Sequence, residues 1–286
     1  MTADPSGAEG LAGRTFGFIG WGPESLAMLD ALREWRPGIE KEAMAFGADS
    51  AHLPLQRTTP SLESLFRHAE VIFAEGGPDF LASHLPTVRL AISDRHLLVL
   101  LGRGWSMAAM LEILKERKLA RCMLLPSSPG TLRTMAYLTS PYLTPQERNF
   151  FQDMFSALDL CMELKEESHF DVLQGLAQFA PAALYTIIES MADGVVMMGF
   201  PRSAAFQYLA SLLHGSAERI LAGKTPPGEL REQALSVEVA AAGLIEMESS
   251  GIRGIMMRAI QRAVDHGGKK RHSSQPSPQE PYQYDG

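Results

Sequence analysis

Three small residues at fixed spacing carry the clearest chemical potential in this chain: Gly20-Trp21-Gly22-Pro23-Glu24-Ser25. The apolar run Arg14-Thr-Phe-Gly-Phe-Ile19 precedes them and the periodic run Leu26-Ala-Met-Leu-Asp-Ala-Leu32 follows. A Gly-x-Gly-x-x-small turn between a strand and a helix gives a pyrophosphate room to approach the backbone and the helix N-terminus. Gly20 permits the tight turn, Gly22 offers no side chain to the approaching phosphates, and Ser25 lets helix and strand pack. Trp21, Pro23 and Glu24 line the same turn, and the Glu24 carboxylate opposes an anion unless it points outward or caps the helix. Asp49, just past a weak second strand, suits the ribose hydroxyls of NAD, although a surface-loop aspartate is an equal reading. Arg57 is the nearest cation for an NADP phosphate. NAD and NADP both stay open.

The elements that must hold such a turn are legible nearby. Met44–Phe46, Val71–Ala74, Leu97–Leu101 and Cys122–Leu125 read as short apolar strands. Helical patterns alternate with them: a short helix from Ser61 to His68, then Phe80–Ile92 and Met107–Lys118. Strand–helix alternation of this length predicts a parallel sheet covered on both faces. Thr144-Pro-Gln-Glu147 is a capping box that opens a helix to about Leu158, and Cys161–Leu164 closes the α/β pattern. From Ser168 the pattern is helical only, with a long helix kinked at Pro181 and further helices over Arg202–Ala222, Glu229–Ser249 and Gly254–Asp265. The expected organisation is a flexible lead (1–13), a Rossmann-like nucleotide-binding domain (14–165), an all-helical domain (166–266) and a disordered tail (267–286).

Composition limits the function classes. The chain has 286 residues, 45% of them hydrophobic, and a net charge of -7, which argues against nucleic-acid binding and against acidic membranes. Cys122 and Cys161 lack metal-type spacing and read as core thiols, so no metal is expected. Nothing in the polar, Gly-rich start reads as a signal peptide, and no apolar run is long enough to span a membrane. A cytoplasmic protein is expected.

The segment Glu189-Ser-Met-Ala-Asp-Gly-Val-Val-Met-Met-Gly-Phe-Pro-Arg202 reads as helix, turn, helix. Gly199 suits a left-handed stop and Pro201 the first turn of the next helix. Its wording closely resembles the start of the dimerisation domain of pyrroline-5-carboxylate reductases. Ala210-Ser-Leu-Leu-His-Gly-Ser-Ala-Glu-Arg-Ile-Leu221 and Pro227-Gly-Glu-Leu-Arg-Glu232 are similar to the runs that follow in that family. The resemblance implies an NAD(P)-dependent reductase of a C=N bond, commonly using NADPH, that works as a homodimer on a small-molecule substrate. Leu209, Leu212, Leu213, Ile220, Leu244 and Ile245 are expected in the dimer interface. Leu125-Pro-Ser-Ser-Pro129 resembles the family's Met-Pro-Asn-Thr-Pro and makes Ser127 a residue of the cofactor cleft.

The chain departs from the family's pattern at three places. Glu75-Gly-Gly-Pro78 follows the strand Val71–Ala74 where the family has Val-Lys-Pro, so a glutamate replaces a lysine beside the cofactor cleft. Ala177-Gln-Phe-Ala-Pro-Ala182 replaces Ser-Gly-Ser-Gly-Pro-Ala, putting Gln178 and Phe179 in the substrate pocket. Leu235-Ser-Val-Glu-Val-Ala240 replaces the Ser-Pro-Gly-Gly-Thr-Thr turn, reads as continuous helix, and places Glu238 where a substrate carboxylate would dock. Gln178 and Tyr185 are candidate proton donors or orienting groups, against a reading of both as packing. A substrate other than pyrroline-5-carboxylate follows. The alternative is a non-catalytic nucleotide-binding dimer acting as a sensor or interaction protein. A 3-hydroxyacid dehydrogenase ranks below both, because residues 169–198 contain neither lysine nor asparagine.

Overall fold

The computed structural model describes residues 13–47, 54–76, 78–102, 106–128, 131–156, 158–223, 225–235 and 238–272. In chain order they form β1 (Phe16–Ile19), α1 (Pro23–Trp35), α2 (Ile39–Glu42), β2 (Met44–Phe46), β3 (Arg57–Thr59), α3 (Leu62–His68), β4 (Val71–Ala74), α4 (Pro78–Ala91), β5 (Leu97–Leu101), α5 (Met107–Leu114), β6 (Lys118–Ser128), β7 (Thr131–Thr139), α6 (Pro145–Met154) and β8 (Leu160–Glu163). The helices α7 (Ser168–Met197), α8 (Arg202–Leu221), α9 (Pro227–Ala234), α10 (Glu238–Ser249) and α11 (Ile252–His272) follow. One compact unit ends at Val172 and a second spans Leu173–Gly268.

The first unit is built on one sheet of order β3-β2-β1-β4-β5-β6-β7-β8. Neighbours from β3 to β6 are parallel, as the alternation of strands and helices predicts. β7 then reverses direction against β6, and β8 pairs parallel to β7. Every residue of β1, β4 and β5 is buried. Their side chains alternate between two cores. Phe16, Phe18, Phe73 and Val99 join α1 and the aromatic face of α6 on one side. Ile19, Ile72, Leu98 and Leu100 meet α3 and α5 on the other. Each such side chain contributes about 1.5–3 kcal/mol of burial. Gly17 is needed on the second face, because a Cβ there would lie 2.8 Å from Ala69 Cβ.

Glu147 fastens α6 to the sheet. The Thr144 hydroxyl accepts from Glu147 N at 3.2 Å, and Glu147 Oε2 accepts from Thr144 N at 3.0 Å, completing the expected capping box. The other oxygen, Oε1, accepts from Lys118 Nζ at 2.7 Å and Arg14 at 3.1 Å. Glu167 plays a similar part before α7: it pairs with the buried Arg121 and accepts from Met107 N at 2.8 Å, holding the start of α5.

Among its described residues the second unit is helical, and three details correct the sequence reading. α7 runs from Ser168 to Met197 with Pro181 inside it. It closes on Gly199 at φ 89°, with Phe200 N bonded to Val195 O and Gly199 N to Val196 O, the paired bonds of a glycine stop. Pro201 precedes α8 as its cap rather than sitting in its first turn. The segment read as continuous helix over Glu229–Ser249 is interrupted: α9 stops at Ala234, Leu235 caps it, and α10 starts at Glu238. Ser236 and Val237 lie outside the described residues. α11 extends past Asp265 through His272, the last described residue.

Candidate cofactor site at the carboxyl ends of β1 and β4

The order of the sheet reverses at β1, whose neighbours β2 and β4 lead to opposite edges. In an open α/β sheet the crevice beyond the carboxyl ends at such a reversal is where ligands bind. Two chain segments meet there. The first is the turn after β1. Gly20 takes φ 72° and its N–H donates to Phe46 O at 3.0 Å, so the turn needs the left-handed freedom of glycine. Gly22 is extended and caps α1, with its carbonyl accepting from Leu26 N at 3.1 Å. The second segment is Glu75, which follows β4 and is anchored by its own N–H to Ile19 O at 2.9 Å.

The Glu75 carboxylate reaches across to the N-terminus of α1. Oε2 accepts from Ser25 N at 2.6 Å and Oε1 from Glu24 N at 3.3 Å. A helix N-terminus presents orphan N–H groups and a partial positive charge, and an anion satisfies both. Gly22 allows this approach: a Cβ at that position would lie 2.3 Å from Glu75 Oε1. The sequence signal for Glu75 was its place after β4 where a lysine is expected. Its role as a cap on α1, 50 residues earlier in the chain, has no local signature. Glu24 folds toward the end of β5, where Gly102 at φ 79° leaves room; a Cβ there would lie 2.8 Å from Glu24 Oε1. The Glu75 carboxylate therefore occupies the helix N-terminus where the glycine turn would cradle phosphates, and the Glu24 carboxylate lies beside Gly102.

The remaining candidates separate into three groups. Ser25 is fully buried and its hydroxyl makes no hydrogen bond, while its backbone N–H serves Glu75. Trp21 is half-buried and packs edge-on against Phe18 of the sheet's core at 5.3 Å, and Pro23 is the exposed first residue of α1. Asp49 lies outside the described residues. Arg57 opens β3 beside Met44, toward the amino ends of the parallel strands and away from the glycine turn. Ser127 lies in β6 where its pairing with β7 slips register between Pro126 and Ser128. In the second unit, Gln178 is exposed, Phe179 is half-buried and Tyr185 is 60% exposed on α7. Gln178 and Tyr185 are two helical turns apart and so share a face. Glu238 begins α10.

Both thiols are held in the neutral form. Burial pushes the Cys122 thiol well up, and burial with the nearby Glu163 carboxylate pushes Cys161 up to about 11. Among the described residues no three His, Cys, Asp or Glu side chains are grouped to hold a metal, and no helix is long and apolar enough to cross a membrane.

Residues 167–270 match the pyrroline-5-carboxylate reductase dimerisation family. Pyrroline-5-carboxylate reductase 2 of Rattus norvegicus is 26% identical over 210 residues, which is 71% of this chain and 65% of that protein, so the match spans just under two thirds of the relative's length. Pyrroline-5-carboxylate reductase of Methanosarcina acetivorans is 28% identical over 213 residues, 72% of this chain and 78% of the relative. Among solved structures, a pyrroline-5-carboxylate reductase from Coxiella burnetii aligns with a TM-score of 0.74 at 16% identity, covering 92% of this chain and 99% of that one. The Plasmodium falciparum pyrroline carboxylate reductase with NADP bound aligns with a TM-score of 0.66 at 20% identity, covering 89% and 97%. These two establish the fold, a Rossmann-like sheet followed by an all-helical region. The helical region thus carries the match to the pyrroline-5-carboxylate reductase dimerisation family, and over about 70% of its length the chain is similar to pyrroline-5-carboxylate reductases.

Proposed function

We propose that the chain is an NAD(P)-dependent oxidoreductase that reduces a C=N bond, with a substrate other than pyrroline-5-carboxylate. The observation that carries this reading is the Gly20–Gly22 turn at the sheet's switch point, placed ahead of a family-matched helical unit. A bound nicotinamide would supply the hydride, so the protein needs no nucleophile of its own. The backbone of Gly20 and Gly22 and the amides of Glu24 and Ser25 fit a dinucleotide pyrophosphate; the carboxylates of Glu24 and Glu75 do not. NADP is supported by the nucleotide bound to the Plasmodium falciparum neighbour, and no described residue of this chain selects it over NAD.

The substrate reading rests on what has been lost. Gln178 and Phe179 replace small serine and glycine residues, and Glu238 brings a negative charge to the segment expected to hold a substrate carboxylate. A neutral or cationic cyclic imine suits this set better than an amino-acid carboxylate, because like charges at contact range in a partly dry site cost several kcal/mol. The test is consumption of NADPH and NADH by the purified protein, first with pyrroline-5-carboxylate and then with a panel of uncharged cyclic imines. Turnover of an uncharged imine in preference supports the reading. Efficient turnover of pyrroline-5-carboxylate overturns the substrate argument.

The helical unit supports a homodimer. Among its described residues only Gly175, Ala192 and Ala205 are buried, whereas Leu212, Leu213, Ile220 and Ile245 are exposed and Leu209 and Leu244 half-buried. Five helices with so little interior of their own lack the core that a stable domain requires. A second copy of the chain would supply the missing packing.

A second reading, a non-catalytic dimeric relative acting as a sensor or interaction protein, is favoured by one observation: the helix N-terminus that would receive phosphates already holds the Glu75 carboxylate.

A further inference from the structure

We infer that Glu75 is an internal competitor of the dinucleotide, a carboxylate that takes the place of the pyrophosphate on α1 and sets how weakly this chain binds its cofactor. The inference rests on the oxidoreductase reading above and adds to it the residue that governs affinity. Four observations on different elements support it. The carboxylate holds both first-turn amides, Ser25 N at 2.6 Å and Glu24 N at 3.3 Å, which are the donors a phosphate at this helix would use. It lies within 2.3 Å of where a Cβ on Gly22 would sit, so it fills the space that the missing side chain opens. Its backbone is fixed at the end of β4 by the bond from Glu75 N to Ile19 O at 2.9 Å, so the side chain is delivered by the sheet rather than by a wandering loop. The second carboxylate, Glu24, turns away from those amides and sits over Gly102, leaving Glu75 to cap the helix.

A pyrophosphate and Glu75 cannot accept from the same two N–H groups at once. For the dinucleotide to bind, the Glu75 side chain must rotate away, giving up two hydrogen bonds, and the displaced charge must then sit beside another anion. Each effect weakens binding, and both vanish when the charge at residue 75 is removed.

The experiment titrates NADPH and NADH, by calorimetry, into the full-length wild-type protein and into Glu75→Gln and Glu75→Ala. Far-UV circular dichroism checks that each is folded. The glutamine variant keeps the shape and an acceptor oxygen for α1, so it decides the matter if the alanine variant fails to fold. The expected result is a Kd at least tenfold lower in the folded variants than in wild type, for both nucleotides, because the competition involves the shared pyrophosphate. Equal Kd values in wild type and variants overturn the inference and leave the oxidoreductase reading standing. Weaker binding in the variants also overturns it, since Glu75 would then be a ligand of the nucleotide. Absence of binding by all folded forms at millimolar nucleotide overturns both the inference and the oxidoreductase reading.

Discussion

Replacing Glu147 by glutamine isolates the charge of one side chain that four groups share. The variant keeps the shape and an acceptor for Thr144 N, so the helix cap survives in large part, but Lys118 and Arg14 lose the carboxylate that faces them at 2.7 and 3.1 Å. Removing one partner of a fully buried ion pair costs about 3–5 kcal/mol, whereas exposed pairs are worth no more than about 1 kcal/mol. The Glu147 side chain is 5% exposed, Lys118 22% and Arg14 14%, which places the loss between these limits at about 2–3 kcal/mol. At roughly 2–4 °C per kcal/mol, the melting temperature should fall by about 5–10 °C. Urea unfolding followed by tryptophan fluorescence suits the measurement, because Trp35 packs edge-on against Phe150 of the same helix at 5.7 Å. The effect has a defined pH sign. Burial pushes the Glu147 carboxyl up, but the hydrogen bonds from Lys118, Thr144 and Arg14 outweigh it and hold the group below its ordinary value. Its contribution is therefore complete above the unfolded value of about 4.3 and is lost as pH falls through the lower folded value. The gap between wild type and variant should close in that acid window. A loss under about 1 kcal/mol at pH 7, or a double-mutant cycle with Lys118→Met showing no coupling, would refute the argument.

Three further outcomes are expected. Gly102→Ala forces a side chain into φ 79° and toward Glu24, and should cost about 2 kcal/mol in chemical denaturation; Gly22→Ala at an extended φ only evicts Glu75 from its amides and should cost about 1 kcal/mol or less. The reverse ranking would contradict the geometry. His96 is buried, with Ser93 N donating to its Nδ1 at 2.9 Å, and burial is the main cause that lowers its pKa. The unfolded chain therefore takes up a proton first, so thermal stability should be full above about pH 6.5 and decline as pH falls below it, and His96→Gln should flatten that slope. Wild-type protein at micromolar concentration should elute as a dimer with light scattering to fix its mass, and Leu212→Glu with Leu213→Glu should yield monomer or insoluble protein; a monodisperse wild-type monomer would contradict the dimer.

Where the sequence was legible, the cause was local. Val71–Ala74 and Leu97–Leu101 are apolar runs between polar punctuation, and both strands have the bounds that the runs suggest. Thr144-Pro-Gln-Glu147 announces α6 because all its chemistry lies within one turn. β3 was missed because Arg57-Thr-Thr59 is a polar edge with no apolar signal. β7 was missed although Pro129-Gly130 is a turn signal just ahead of it in the sequence, because a hairpin return brings no crossover helix to announce the strand. At the candidate site, the Gly20–Gly22 turn was readable from spacing alone. The capping of α1 by Glu75 joins residues 50 apart, and only the departure from a family lysine hinted at it. The break at Leu235 was hidden because the residues around it carry no glycine or proline to mark it.

The shortness of the sheet's edge strands has a consequence for how copies of this chain can meet. Its outermost strands, β3 and β8, are only three and four residues long, while the interior strands β6 and β7 run to eleven and nine. An edge that short, with exposed Arg57 and Thr58 along one side and exposed Glu163 ending the other, offers too few free backbone groups to template a strand from another molecule. Lateral growth of the sheet into fibres is thereby discouraged at both ends, even though its centre is rich in the β-branched and aromatic residues that aggregate when uncovered.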